Sequence, residues 1–133
     1  MAHRLMLDTT AISGFFRGDE QILSHVEAAD ELYVSPVAIG ELLAGFMRGS
    51  REKQNRQLLE SFLVESRAAV LTIDEETSER YARIFIHLRS SGTPVPTNDI
   101  WIAASAMQHG TSILTTDRHY LRIPQVITEW VDS

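Results

Sequence analysis

The chain has no cysteine, which removes disulfides, thiolate catalysis and the usual structural zinc sites. Lysine is nearly absent too, since eleven of the twelve basic residues are arginine and Lys53 is the one lysine. Positive charge is in deficit overall. The formal net charge is −6, so no global field draws in a polyanion, and any nucleic-acid contact must be local or metal-assisted. No apolar run approaches the length of a membrane span. Met1-Ala2-His3-Arg4-Leu5-Met6-Leu7 meets Asp8 too soon for a signal peptide, so a cytoplasmic location without membrane contact is expected. The five histidines, His3, His25, His87, His109 and His119, are scattered with no HExxH pair, and zinc is not expected. Repeats and low-complexity tracts are missing as well. What remains is 133 residues, read as one domain spanning 1–133 with enough apolar sequence for a buried core.

Short apolar runs alternate with helical patterns. Arg4-Leu5-Met6-Leu7 predicts a buried strand, and Asp8-Thr9-Thr10 supplies a cap for a helix running to Phe16. Asp19 starts a second helix with Ile22, Leu23 and Val26 on one face. Glu31–Ser35 predicts the next strand, closed by Pro36, a favoured first residue of a helix. The stretches 36–48 and 52–64 predict a helical hairpin. Its face bearing Leu42, Phe46 and Met47 is expected to be spare apolar surface for self-association or a partner. Ala68–Ile73 predicts a third strand, after which Asp74 caps a helix with Tyr81, Ile84, Phe85 and Leu88 on its buried stripe. Arg80, Arg83 and His87 share another face, which simple solvation explains as readily as phosphate binding. The loop 90–96 precedes a helix that starts at Thr97 or Asn98 and ends at Gly110. Ser112–Thr115 then delivers Asp117, and Gln125–Thr128 predicts a last edge strand. Strands alternating with helices imply an α/β protein with a mostly parallel sheet.

Four acids stand out against this frame. Asp8 and Asp117 follow strands, Asp99 opens a helix, and Glu41 is the one acid of an otherwise apolar helix. Each has an ordinary explanation as a cap, a turn residue or a solvated side chain. With the first strand central, however, Asp8 and Asp117 lie at one sheet edge, and the two helices are able to bring Asp99 and Glu41 over it. Clustered carboxylates repel and raise one another's pKa unless a cation offsets them. Oxygen-only ligation selects Mg²⁺ or Mn²⁺. The chemistry that fits is phosphodiester hydrolysis, with one ion activating water and a second about 3.5 to 4 Å away stabilising the leaving oxygen. Thr9, Asn98 and Thr115 are candidates to orient the carboxylates, and Arg80, Arg83 or Arg118 to steer the phosphate backbone.

Leu7-Asp8-Thr9-Thr10-Ala11-Ile12, Gly40-Glu41-Leu42, Asn98-Asp99-Ile100-Trp101-Ile102-Ala103-Ala104 and Leu114-Thr115-Thr116-Asp117-Arg118-His119-Tyr120 resemble, in order and spacing, the motifs of PIN-domain ribonucleases, most closely the VapC-type toxins of bacterial toxin–antitoxin pairs. The resemblance spans nearly the whole chain. It implies a three-layer α/β/α fold, endonucleolytic cleavage of RNA dependent on Mg²⁺ or Mn²⁺, a homodimer, and inhibition by a cognate VapB-like antitoxin. It also places metal ligation on Asp8, Glu41, Asp99 and Asp117, with Thr115 as an accessory position. Some relatives carry a further acid where this chain has His119.

Three other readings share parts of this pattern. A phosphoryl-accepting receiver domain also puts Asp at strand ends, but by resemblance it needs a lysine near the acids, and Lys53 lies far from any strand end. A PIN fold that only binds RNA or protein has no need to keep all four acids. A PIN nuclease of RNA maturation keeps them without any antitoxin, and a neighbouring small reading frame encoding a DNA-binding protein tells the two nuclease readings apart.

Overall fold

The chain order of the computed structural model, which describes residues 2–132, is β1 (Arg4–Leu7), α1 (Thr9–Phe16), α2 (Glu20–Ala28), β2 (Glu31–Val34), α3 (Pro36–Arg48), α4 (Glu52–Glu65), β3 (Ala69–Val70), α5 (Glu75–Ser91), α6 (Thr97–His109), β4 (Ser112–Thr115) and β5 (Thr128–Trp130). A 3₁₀ turn, Arg118–Arg122, joins the last two strands. Consecutive residues Leu5, Met6 and Leu7 are all fully buried, so both faces of β1 are covered. That is the signature of a parallel sheet between helical layers rather than of one with a wet face. All four strand pairings are parallel, in the order β3-β2-β1-β4-β5. The result is the expected three-layer α/β/α architecture with β1 at its centre.

Local chemistry starts and stops the helices. Asp8, Asp19, Ser35 and Asp74 each accept backbone N–H bonds from the first turn of the helix that follows, satisfying donors that helix geometry leaves unpaired. Pro36 occupies the first turn of α3. Gly92 and Gly110 end α5 and α6 with φ of 68° and 66°, a left-handed conformation that costs an L side chain energy and glycine almost none. α6 starts at Thr97, as expected, with Pro96 before it and no side-chain cap among the described residues. No helix is long and apolar enough to cross a membrane among the described residues.

Three expectations change on folding. The last strand lies at Thr128–Trp130 rather than Gln125–Thr128, because Pro124 and Gln125 form a turn in which the Val126 N–H reaches the Ile123 carbonyl. β3 shrinks to two residues. Its partner β2 ends at Val34, beyond which Ser35 caps α3 and Pro36 has no N–H to offer. Leu42 and Phe46 are not spare surface: both are buried in the core of the single chain, whereas Met47 beside them is 58% exposed. The hairpin packs inward on the α3 face that carries them.

α6 is the most enclosed of the helices. Ile100, Ile102, Ala103, Ala104, Ser105 and Ala106 are all buried, so buried positions extend around most of the helix. It packs against α3, α5, β4 and the 3₁₀ turn. Its first turn, where Asp99 sits, is thereby held against the segment that follows β4.

Candidate functional site

β1 is flanked by β2 on one side and β4 on the other, so the connections depart in opposite directions from the C-terminal ends of β1 and β4. Open parallel sheets form a crevice at such a reversal. Asp8 leaves the end of β1 and Asp117 follows the end of β4, while α6 presents Asp99 from its first turn. Asp8 is 2% exposed and Asp99 9%.

Asp8 is the anchored member. Its Oδ1 accepts the Ala11 N–H at 2.9 Å and the Thr10 hydroxyl at 2.7 Å, and its Oδ2 accepts the Thr115 hydroxyl at 2.6 Å. The two threonines are themselves oriented by the chain after β4, since Thr115 Oγ1 accepts the Asp117 N–H and Thr10 Oγ1 accepts the Thr116 N–H. Burial still pushes the Asp8 carboxyl up to about 6, and the nearby Asp117 charge adds to this, against the lowering effect of its three donors.

Asp99 is less well provided for. Burial, reinforced by the charges of Asp117 and Asp8, pushes its carboxyl up to about 7 despite a hydrogen bond from Tyr120. The buried Tyr120 hydroxyl donates to Asp99 Oδ1 at 3.3 Å, and burial together with the surrounding acids raises the phenol itself. Asp99 Oδ2 is buried with no hydrogen-bond partner among the described residues, an arrangement that costs on the order of 1 to 3 kcal/mol or more if nothing fills it.

Beside that oxygen stand Asp117 and His119. Asp117 Oδ1 accepts the His119 backbone N–H at 2.9 Å and lies 2.7 Å from His119 Nδ1, which is 3.8 Å from Asp99 Oδ2. One ligand atom from each of Asp99, Asp117 and His119 lies within 4.8 Å of the other two. Glu41 stands at the rim, with one oxygen bonded by Thr9 at 2.6 Å and the other by the Asn98 amide at 3.3 Å. It is thus tied to the residues adjacent to Asp8 and Asp99. The coupled acids, the orphaned oxygen and the neighbouring imidazole make a donor set that fits a divalent cation.

The other residues singled out in the sequence divide. Thr9, Asn98 and Thr115 all bond the acids they were expected to orient. Arg118 is exposed next to Asp117, and its guanidinium lies over the Trp130 ring at 4.3 Å, with no carboxylate against it among the described residues. Arg80 and Arg83 pair with Glu76 and Glu79 one turn back on α5. The start of α5 packs near the end of α6, where Thr77 meets Gln108. From the sequence, Thr10 has no role beyond the helix cap, Tyr120 has none, and oxygen donors alone are expected at the site. The spacing i, i+2 from Asp8 to Thr10 and from Asp117 to His119 is the local signal that was there to find.

A PIN domain family model matches residues 5–126. The chain is 39% identical over 99 residues to Ribonuclease VapC4 of Mycobacterium tuberculosis, covering 74% of this chain and 76% of that protein. It is 35% identical over 115 residues to Ribonuclease VapC1 of Rickettsia felis, covering 84% and 83%. Among solved structures it superposes on DNA-bound VapBC of Salmonella typhimurium with a TM-score of 0.83, at 28% identity and over 96% and 97% of the two chains. Against VapBC2 of Rickettsia felis bound to a promoter DNA fragment the TM-score is 0.86 over 97% and 99%, at 22% identity. On the match along nearly the whole chain, this protein belongs to the PIN-domain family and is of the VapC type.

Proposed function

We propose that the protein is a metal-dependent endoribonuclease, the toxin of a VapBC-type pair. The observation that carries the reading is the buried, unpartnered Asp99 Oδ2 beside Asp117 and His119, at the crevice where the sheet reverses direction. The names of the relatives, ribonucleases among them, support the activity, and the VapBC structures support a VapB-like antitoxin as partner.

In this reading Asp8, Glu41, Asp99 and Asp117 hold Mg²⁺ or Mn²⁺ in the crevice. A bound divalent ion supplies the charge that lowers the pKa of an attacking water and neutralises the phosphate oxygens. The chain does the rest by positioning. Thr10, Thr115 and the Ala11 N–H fix Asp8 in one orientation. Thr9 and Asn98 grip the two oxygens of Glu41 separately, so this carboxylate cannot swing away. Tyr120 holds Asp99 Oδ1 and turns Oδ2 toward the cluster. Arg118, which meets no carboxylate among the described residues, offers its N–H edges to a phosphate of the RNA strand, in preference to Arg80 and Arg83, which pair with Glu76 and Glu79. A homodimer in the cytoplasm completes the proposal.

Purified protein incubated with total RNA in Mn²⁺, in Mg²⁺ and in EDTA, followed by mapping of the ends, tests it. Discrete cuts that appear with either ion and vanish in EDTA are expected. Equal cutting by Asp99→Asn and wild type overturns the site.

A further inference from the structure

The expectation of an oxygen-only site leaves out the imidazole that the fold delivers. Asp117 caps the 3₁₀ turn through the His119 N–H, so the residue two positions on is drawn back over the same carboxylate oxygen, its ring nitrogen at 2.7 Å. The same Nδ1 is 3.8 Å from the orphaned Asp99 Oδ2. Ligand atoms of one ion at bond lengths near 2.1 Å stand about 3 Å apart when adjacent and about 4 Å when opposite. The two observed separations fall at that spacing. Tyr120 occupies Asp99 Oδ1, so the oxygen left free is the one nearest the imidazole. The His119 side chain is 39% exposed, open to an ion arriving from solvent.

From this geometry we infer that His119 is itself a ligand of the divalent ion, through Nδ1, completing a set of two carboxylates and one imidazole with Asp99 and Asp117. The inference rests on the metal-dependent reading above and extends it to the choice of ion. An imidazole nitrogen gains much more from a transition ion than from Mg²⁺, which holds to oxygen donors and water. The site therefore binds Mn²⁺ in preference to Mg²⁺, and His119 sets that preference.

The test is pulsed electron paramagnetic resonance of Mn²⁺ bound to the full chain, read for nitrogen modulation, with parallel titrations of Mn²⁺ and Mg²⁺ by calorimetry. Wild type is expected to show nitrogen coupling, and His119→Ala to lose it. In that variant Mn²⁺ affinity falls about tenfold or more while Mg²⁺ affinity changes by less than about threefold. His119→Asp, an all-oxygen set, shows no nitrogen coupling and a narrowed gap between the two ions. Mn²⁺ bound to wild type without nitrogen coupling overturns the inference and leaves the nuclease reading standing, as does an equal loss of both ions in His119→Ala. Binding of neither ion overturns both. The wild-type spectrum decides the matter even where a variant fails to fold.

Discussion

Two carboxylates of this protein sit in comparable shelter and meet opposite fates. Glu129 on β5 has a side chain 18% exposed, and each of its oxygens meets a histidine, His3 at 2.6 Å and His25 at 2.7 Å. Burial alone would raise it, but the hydrogen bonds from His3 and His25 outweigh burial and hold it below its ordinary range. Asp99 has a side chain 13% exposed, one long hydrogen bond and one oxygen with none, and burial raises it to about 7. The same chain thus neutralises one sheltered acid with its own side chains and leaves the other wanting. A buried charge left in deficit destabilises the fold, and its persistence is accounted for when a ligand meets it. Glu129 is satisfied by the chain's own side chains, and Asp99 is the acid with an oxygen left over for a ligand.

The sharpest way to break this contrast is to remove each charge in turn. Asp99→Asn is expected to lower RNA cleavage by about a thousandfold or more. The metal-free protein should stay as stable or gain about 1 kcal/mol, because carboxylate repulsion is relieved. Glu129→Gln is expected to do the reverse, cutting at the wild-type rate while losing about 1 kcal/mol, a modest figure because both histidines are about a third exposed. Denaturant titration alongside a cleavage assay reads both, and a fall in cleavage with Glu129→Gln would merge the two regions into one.

Acidity distinguishes them next. Asp8 and Asp99 keep protons in the folded chain that the unfolded chain releases near pH 4, so between about pH 4 and 7 the native state binds more protons. By linkage, stability of the metal-free protein falls as pH rises through that window and then levels off. Glu129 works in the opposite sense, stabilising above its unfolded pKa and losing that contribution as pH drops through its lowered value. His3, raised by its bond to Glu129, stabilises below pH 6.5 and loses this as pH climbs past its folded pKa. Unfolding in EDTA at several pH values, for wild type and Asp99→Asn, isolates the first contribution as the difference in slope. Parallel slopes would refute it.

A divalent ion should repair the Asp99 region alone. At about a hundredfold excess over its Kd it stabilises the wild type by roughly 2.7 kcal/mol, raising Tm, with little change for Asp99→Asn and an undiminished rise for Glu129→Gln. The smallest effect concerns the arginines. Arg118→Gln is expected to reduce the salt dependence of RNA binding by about one unit of log–log slope, whereas Arg80→Gln and Arg83→Gln, already paired with Glu76 and Glu79, leave it unchanged. Fluorescence anisotropy across a salt series in EDTA measures this without turnover.

The candidate site was legible where its parts are local. Asp8 and Asp117 announced themselves because a short apolar run followed by an acid and turn residues is a pattern within a few positions. Thr9, Asn98 and Thr115 followed from adjacency to the acids. Tyr120 escaped because its hydroxyl bonds Asp99 across 21 positions of chain, a pairing that no local pattern encodes. Phe46 misled for a related reason. An apolar helix face reads the same whether it is covered by a partner or by the rest of the chain, and only packing showed that it is covered from within. The choice of an interface probe follows from this: Phe46→Asp tests the core, and Met47 is the residue of that face left to test a surface.

Strand and helix identity, the helix caps and the central place of β1 follow from periodicity and end chemistry over windows of a dozen residues, and these were open to reading in one dimension. Which acids share a crevice, which oxygen goes unbonded and where His119 turns its ring depend on contacts between segments as far apart as β1 and the chain after β4, spanning more than a hundred positions. Those contacts exist only once the core has closed, because it is burial that brings the segments together and strips from Asp99 the water that would otherwise have satisfied it.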